Sequence, residues 1–265
     1  MKNKFRIATA TAIAGASLLA SSSVFAGAVC HQVSYSEFKA AVDTAYEETL
    51  TTGFGLGMWA TLMDQTGKVC YVYSVDGDTA SPNGGSYAGN TAWLGSRVIS
   101  AQKANTANAF SLDGLAISTG AITVATYEGG SLFGLQFSNP VNAAVAYRGN
   151  PSRYGTKRDP LRNKRVGGVN VFGGGVALYN SYGIKIGAIG VSGDTSCRDH
   201  TMAYRSRIAL GLNNEPNDDG LVLVDTTVEP LTGLFQQPAC GVNDPATTTY
   251  QDADDNGVRA PAPAA

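Results

Sequence analysis

Two runs of apolar, β-prone residues, Val176–Tyr179 and Ile184–Val191, flank the turn Asn180-Ser181-Tyr182-Gly183. Short apolar runs joined by a four-residue, glycine-containing turn read as a β-hairpin buried on at least one face. Gly173-Gly174-Gly175 leads into this hairpin and Ser192-Gly193-Asp194 breaks it. A ribbon of this kind has to be covered, and its neighbours in sequence have the right periodicities to cover it.

Before it, Phe38, Ala41, Val42, Ala45 and Tyr46 recur at helical spacing. Ser34 or Ser36 can cap that helix, and Glu37 stands three residues after Ser34 as in a capping box. Leu56–Met63 and Val69–Val75 surround Asp64-Gln65-Thr66-Gly67 and form a second hairpin signal. Thr91–Phe110 reads as an Ala-rich helix, and Ala121–Tyr127 fits either a strand or a short helix. After the central hairpin, Thr195, Ser196 or Asp199 can cap a last helix that runs to about Leu212. The order is therefore helix, hairpin, helix, hairpin, helix. Polar, Gly-rich residues at about 76–90 and a proline-interrupted stretch at 139–168 read as insertions. Residues 213–265 form an extension in which Leu221–Val228 can add a strand, with a tail from Ala246 expected to be disordered.

Residues 1–26 have the three parts of a secretory signal: Lys2, Lys4 and Arg6, the apolar run Ile7–Ala20, and small residues up to Ala26. The run is too short and too rich in Ala and Thr for a retained span, which needs roughly 20 apolar residues. A secreted or periplasmic protein without a membrane span after cleavage is expected. All 21 acidic residues lie beyond Ala26, and three of the 19 bases do not, so the exported part is acidic and a poor general binder of nucleic acid. Cys30, Cys70, Cys197 and Cys240 are even in number and form no CxxC pair, which in an exported chain reads as two disulfides. Three connectivities exist. Cys30–Cys70 with Cys197–Cys240 is favoured, because each pair joins segments that this element order places side by side.

Asp64–Gly67, Asp76-Gly77, Lys103-Ala104-Asn105-Thr106-Ala107 with Phe110, Phe172-Gly173-Gly174-Gly175, Ile186–Gly193 and Asp199 together give the chain a family likeness. It resembles the GlcG/HbpS-like family of bacterial haem-binding or haem-responsive domains. The resemblance spans most of residues 34–211. It implies an α+β fold, a profilin-like antiparallel sheet with helices packed on it, often assembled into homo-oligomers, and haem or a related tetrapyrrole as small-molecule ligand.

Haem needs an axial ligand, usually His, Met, Cys or Tyr. The imidazoles are His31, beside Cys30, and His200, in the first turn of the last helix. Met58, Met202 and Tyr204 are weaker alternatives that core packing explains more simply. The Ser192-Gly193 turn before a helix offers backbone N–H groups to a propionate, and Lys103 a compensating charge. The seven bases of the 139–168 insertion, Arg148, Arg153, Lys157, Arg158, Arg162, Lys164 and Arg165, offer an anionic ligand or an acidic partner a second surface. No catalytic motif emerges. Gly55-x-Gly57-x-x-Ala60 lies in the wrong strand–helix order for a dinucleotide fingerprint, and Gly190-x-Ser192-Gly193 lacks the spacing of a nucleophile elbow. Asp252–Gly257 begins like a calcium loop but puts Pro263 where a bidentate Glu is needed.

Overall fold

The computed structural model describes residues 28–75, 93–247 and 255–260. The leader expected over 1–26, the Gly-rich loop from Asp76 to Gly89 and the tail residues 248–254 and 261–265 lie outside the described residues. In chain order the elements are α1 (Val29–Gln32), α2 (Tyr35–Glu48), β1 (Met58–Asp64), β2 (Val69–Val75), α3 (Ser96–Phe110), α4 (Leu135–Ser138), α5 (Ala143–Ala146), β3 (Gly175–Tyr179), β4 (Lys185–Ser192), α6 (Ser196–Ala209), β5 (Leu221–Val224), β6 (Gln236–Pro238) and β7 (Val258–Arg259).

Local chemistry sets the first elements. The Ser34 side chain accepts the Glu37 N–H while the Glu37 carboxylate accepts the Ser34 N–H, so the capping box starts α2. The Asp64 carboxylate accepts the N–H groups of Thr66 and Lys68 and shapes the β1–β2 turn. The two hairpins then join edge to edge. β1 pairs antiparallel with β4, giving one four-stranded sheet of order β2-β1-β4-β3. Between 111 and 137 the chain forms short 3-10 turns and α4, with no strand over Ala121–Tyr127.

Strand alternation sorts the core into two layers. Met58, Ala60, Leu62, Val176, Leu178, Ile189 and Val191 face α2 and α6, where they meet Phe38, Val42, Tyr46 and Met202. Trp59 and Met63 face α3 and pack with Val98, Ala101 and Ala104. Helix α3 lies so close to the sheet that a Cβ on Gly190 would stand 2.1 Å from the Ser100 carbonyl oxygen.

The 139–168 insertion is more than a solvated loop. Its seven bases are exposed, but Ala146, Leu161 and Val166 are buried against the α3 layer. Arg97 of α3, 2% exposed, donates to both carboxylate oxygens of Asp159 in the insertion and stacks on Tyr154, 3.6 Å from the ring centroid. Both favoured disulfides are present, Cys30–Cys70 tying α1 to β2 and Cys197–Cys240 tying α6 to the extension.

The extension departs most from expectation. β5 ends at Val224 and pairs in parallel with β6 on one side and β7 on the other. Residues 255–260 of the tail expected to be disordered are ordered, because Val258 is fully buried and Leu221 donates its N–H to the Gly257 carbonyl.

Candidate functional site

Lys103 on α3, the Gly173–Gly175 entry to β3, the Ser192-Gly193 exit of β4 and the first turn of α6 meet at one edge of the sheet. The Lys103 Nζ donates to the Asp199 Oδ2 at 2.7 Å, with both side chains almost completely buried. Gly174 closes over this pair. A Cβ there would lie 2.9 Å from the Lys103 Nζ and 2.9 Å from the Asp199 Cβ, and its φ of +123° already excludes most side chains. Burial pushes the Asp199 carboxyl up to about 6, opposed by the adjacent ammonium.

The turn before α6 is occupied by the chain's own carboxylates. Asp199 Oδ1 accepts the Asp194 N–H, and Asp194 in turn accepts the N–H groups of Phe54, Leu56 and Thr195. Asp194 also receives the Arg198 guanidinium at 2.8 Å. At the helix end, Thr195 caps the Arg198 N–H and the Cys240 sulfur accepts the Cys197 N–H. The backbone N–H groups of Asp194, Thr195, Cys197 and Arg198 are thus engaged within the protein. Ser192, 4% exposed, pairs with Trp59 inside the sheet.

His200 is fully buried. Its Nε2 lies 2.8 Å from the carbonyl oxygen of Gly257, and because a carbonyl only accepts, Nε2 carries the hydrogen. Nδ1 then presents a lone pair with no hydrogen-bond partner among the described residues. Burial holds the imidazole down at about 4, so it is neutral at pH 7. His31 is exposed on α1, which packs where Gly187 pairs with Asp64, the far end of β4 from Ser192. The fold therefore brings Lys103, Ser192, Gly193 and His200 to one edge and leaves His31 elsewhere. Met58 and Met202 are fully buried in the layer beneath α2 and α6, and Tyr204 packs beside His200 with ring centroids 5.8 Å apart.

The C-terminal extension covers this edge. Gln237 of β6 accepts the Gly173 N–H at 2.7 Å and donates to the Ser196 hydroxyl. Arg207 of α6, fully buried, grips both oxygens of Asp219 and one of Glu215. His200 and the Gly173 entry to β3 are therefore in contact with the extension, Lys103 is closed in by Asp199 and Gly174, and in this closed arrangement the edge does not accommodate a tetrapyrrole. Two hollows lie apart from them. One of about 340 Å³ opens between α2 and the end of α6, and one of about 440 Å³ is lined by Glu48, Thr49, Thr201, Asn243, Asp244 and Asn256. A signal was present in α6, Ser-Cys-Arg-Asp-His-Thr-Met-Ala-Tyr-Arg-Ser-Arg-Ile-Ala, which buries ten of its residues despite its polarity. A polar helix buried this way needs charged partners from elsewhere in the chain.

Residues 86–206 match the model of a family described as haem degrading protein HbpS-like. No curated protein matches. Among solved structures, similar chains include the Klebsiella pneumoniae protein ORFY, of family model DUF336, at 22% identity and TM-score 0.42, covering 69% of this chain and 88% of that one. A PduOC:haem complex is 19% identical with TM-score 0.45, covering 69% and 98%. HbpS is 16% identical with TM-score 0.39, covering 68% and 90%.

Proposed function

We propose that this chain, HbpS-like over residues 86–206, is a haem- or tetrapyrrole-binding protein that works outside the cytoplasm without catalysing a reaction. The family match is the observation that carries the haem part of this reading. His200 supports it from the chemistry side: a hydrogen bond from Nε2 to a backbone carbonyl sets the tautomer and leaves Nδ1 basic, as in many metal-binding histidines. Two disulfides suit an oxidising compartment. No described helix is long and apolar enough to cross a membrane. A homo-oligomer belongs to the same reading.

A second reading, an interaction module that keeps the fold and holds no cofactor, is favoured by the sealed edge at Gly173 and His200. Haemin titration of the full chain separates the two. A Soret shift at micromolar haemin, lost in His200→Ala and kept in His31→Ala, supports the first. Absence of any shift in the parent leaves only the second.

A further inference from the structure

The 139–168 insertion carries a charge that the rest of the molecule does not balance. Of the nine bases outside it among the described residues, eight lie within ion-pair distance of a carboxylate, and Lys185 donates to the carbonyls of Asn108 and Ser111. The seven bases of the insertion are all exposed, and none of them meets a carboxylate among the described residues. The one acid between residues 129 and 170, Asp159, is turned inward. It accepts the N–H groups of Gly155 and Leu161 and takes the Arg97 guanidinium, so it shapes the insertion and neutralises α3 rather than its own neighbours.

The same outer layer over α3 turns large rings to solvent. Phe137 of α4 is 85% exposed, Tyr147 64% and Phe133 60%. Leu132 and Leu135 beside them pack inward with Val169 and Val171, so the exposed rings are the side of this turn that the core does not use. Backbone pairing brings rings and bases together. Asn142 donates its N–H to the Val166 carbonyl and Val141 bridges Gly167, which sets the segment after Phe137 alongside the one that follows Lys164 and Arg165. The Tyr154 hydroxyl lies 3.2 Å from the carbonyls of Tyr147 and Arg148, which holds that ring and that base next to Arg153. Unpaired cations beside protruding rings fit an interface that is anionic at its surface and apolar beneath it. A hydrated acidic peptide answers the bases but leaves the phenyl rings in water.

We propose that the layer formed by residues 133–165 docks on an anionic phospholipid surface, its bases pairing with lipid phosphates while Phe133 and Phe137 enter the headgroup boundary. Five of the seven bases are arginines, whose planar guanidinium suits phosphate oxygens. Docking of this kind is peripheral and needs no membrane-crossing helix. It uses neither His200 nor the Gly173 edge, and it stands whether or not the chain binds haem.

Cosedimentation of the full chain with vesicles of phosphatidylcholine alone, or with about one-third phosphatidylglycerol added, tests the docking. Residues 1–26 are the same in every variant, and the phosphatidylcholine vesicles report what their apolar run contributes. The parent should prefer the anionic vesicles and lose that preference in about 0.5 M salt. Arg153→Gln/Lys157→Gln/Arg158→Gln changes three exposed side chains and should weaken binding to anionic vesicles about a hundredfold, at about fivefold per base. Phe137→Ser should weaken it about tenfold and leave binding of soluble polyglutamate unchanged. Equal binding to the two kinds of vesicle, or a triple variant that binds as the parent does, overturns the proposal. Phe137→Ser binding vesicles like the parent, with polyglutamate competing fully, also overturns it and assigns the bases to an acidic protein. A parent that self-associates through Phe137 in sedimentation velocity and ignores vesicles overturns it in favour of a second copy.

Discussion

Replacing Lys103 by methionine leaves the buried Asp199 carboxyl without its ammonium, and the cost depends on pH in a way the structure specifies. In the parent, the folded-state pKa of Asp199 is about 6, above the usual 3.8. The native state therefore binds the proton more tightly than the unfolded chain, and this group's contribution to stability falls as pH rises through that interval. Without the ammonium the native pKa moves higher still. Below pH 6 the carboxyl is neutral in both proteins, and the stability gap between them is flat. Above pH 6 the parent ionises while the variant holds its proton, and the gap widens by about 1.4 kcal/mol per pH unit. At pH 7.5 the pH-dependent part reaches about 2 kcal/mol, within the roughly 3–5 kcal/mol ceiling for breaking a buried pair. The His200 contribution is common to both proteins and cancels in the difference. Urea unfolding of parent and Lys103→Met at pH 5.5, 6.5 and 7.5, with disulfides intact, reads the gap directly. A gap that stays constant across this range refutes the buried ion pair. Lys103→Met/Asp199→Asn should remove the pH dependence.

His200 contributes in the opposite sense. Its native pKa of about 4 lies below the usual 6.5, so the unfolded chain binds the proton first and stability is lost as pH falls from 6.5 towards 4. His200→Gln should therefore gain on the parent by about 1.4 kcal/mol per unit over that interval. Thermal melts at pH 4.5 and 7 check it, and equal differences at both would count against a buried neutral imidazole. Gly190→Ala drives a methyl into the Ser100 carbonyl and must push α3 off the sheet. A loss of about 3 kcal/mol or more in urea unfolding is expected, and a loss below about 1 kcal/mol would show that α3 is free to shift.

The elements that formed as expected are those whose cause is local. A capping box, two turns and apolar spacings of two or three to four residues act over a few residues, so Ser34, Gly67, the Val176–Val191 ribbon and the five-element order were readable directly. The even cysteine count limited the connectivities to three, and adjacency in that order favoured the pair that forms. His200 follows the glycine-rich ribbon closely in sequence, whereas Lys103 lies far upstream of it and only the fold brings the two to one edge. What tertiary structure decided is whether that edge is open. Gln237 and Gly257 reach Gly173 and His200 from 64 and 57 residues away, Asp159 reaches Arg97 across 62, and Asp194 fixes Phe54 across 140. Such partners leave no periodic trace, since a charge needs one complementary group at one distance and any loop can deliver it. The polar helix α6 announces that it must be neutralised if buried. Only the folded chain shows that Lys103 and Asp194 neutralise Asp199 and Arg198, that Asp219 of the C-terminal extension neutralises Arg207, and that the same extension covers His200.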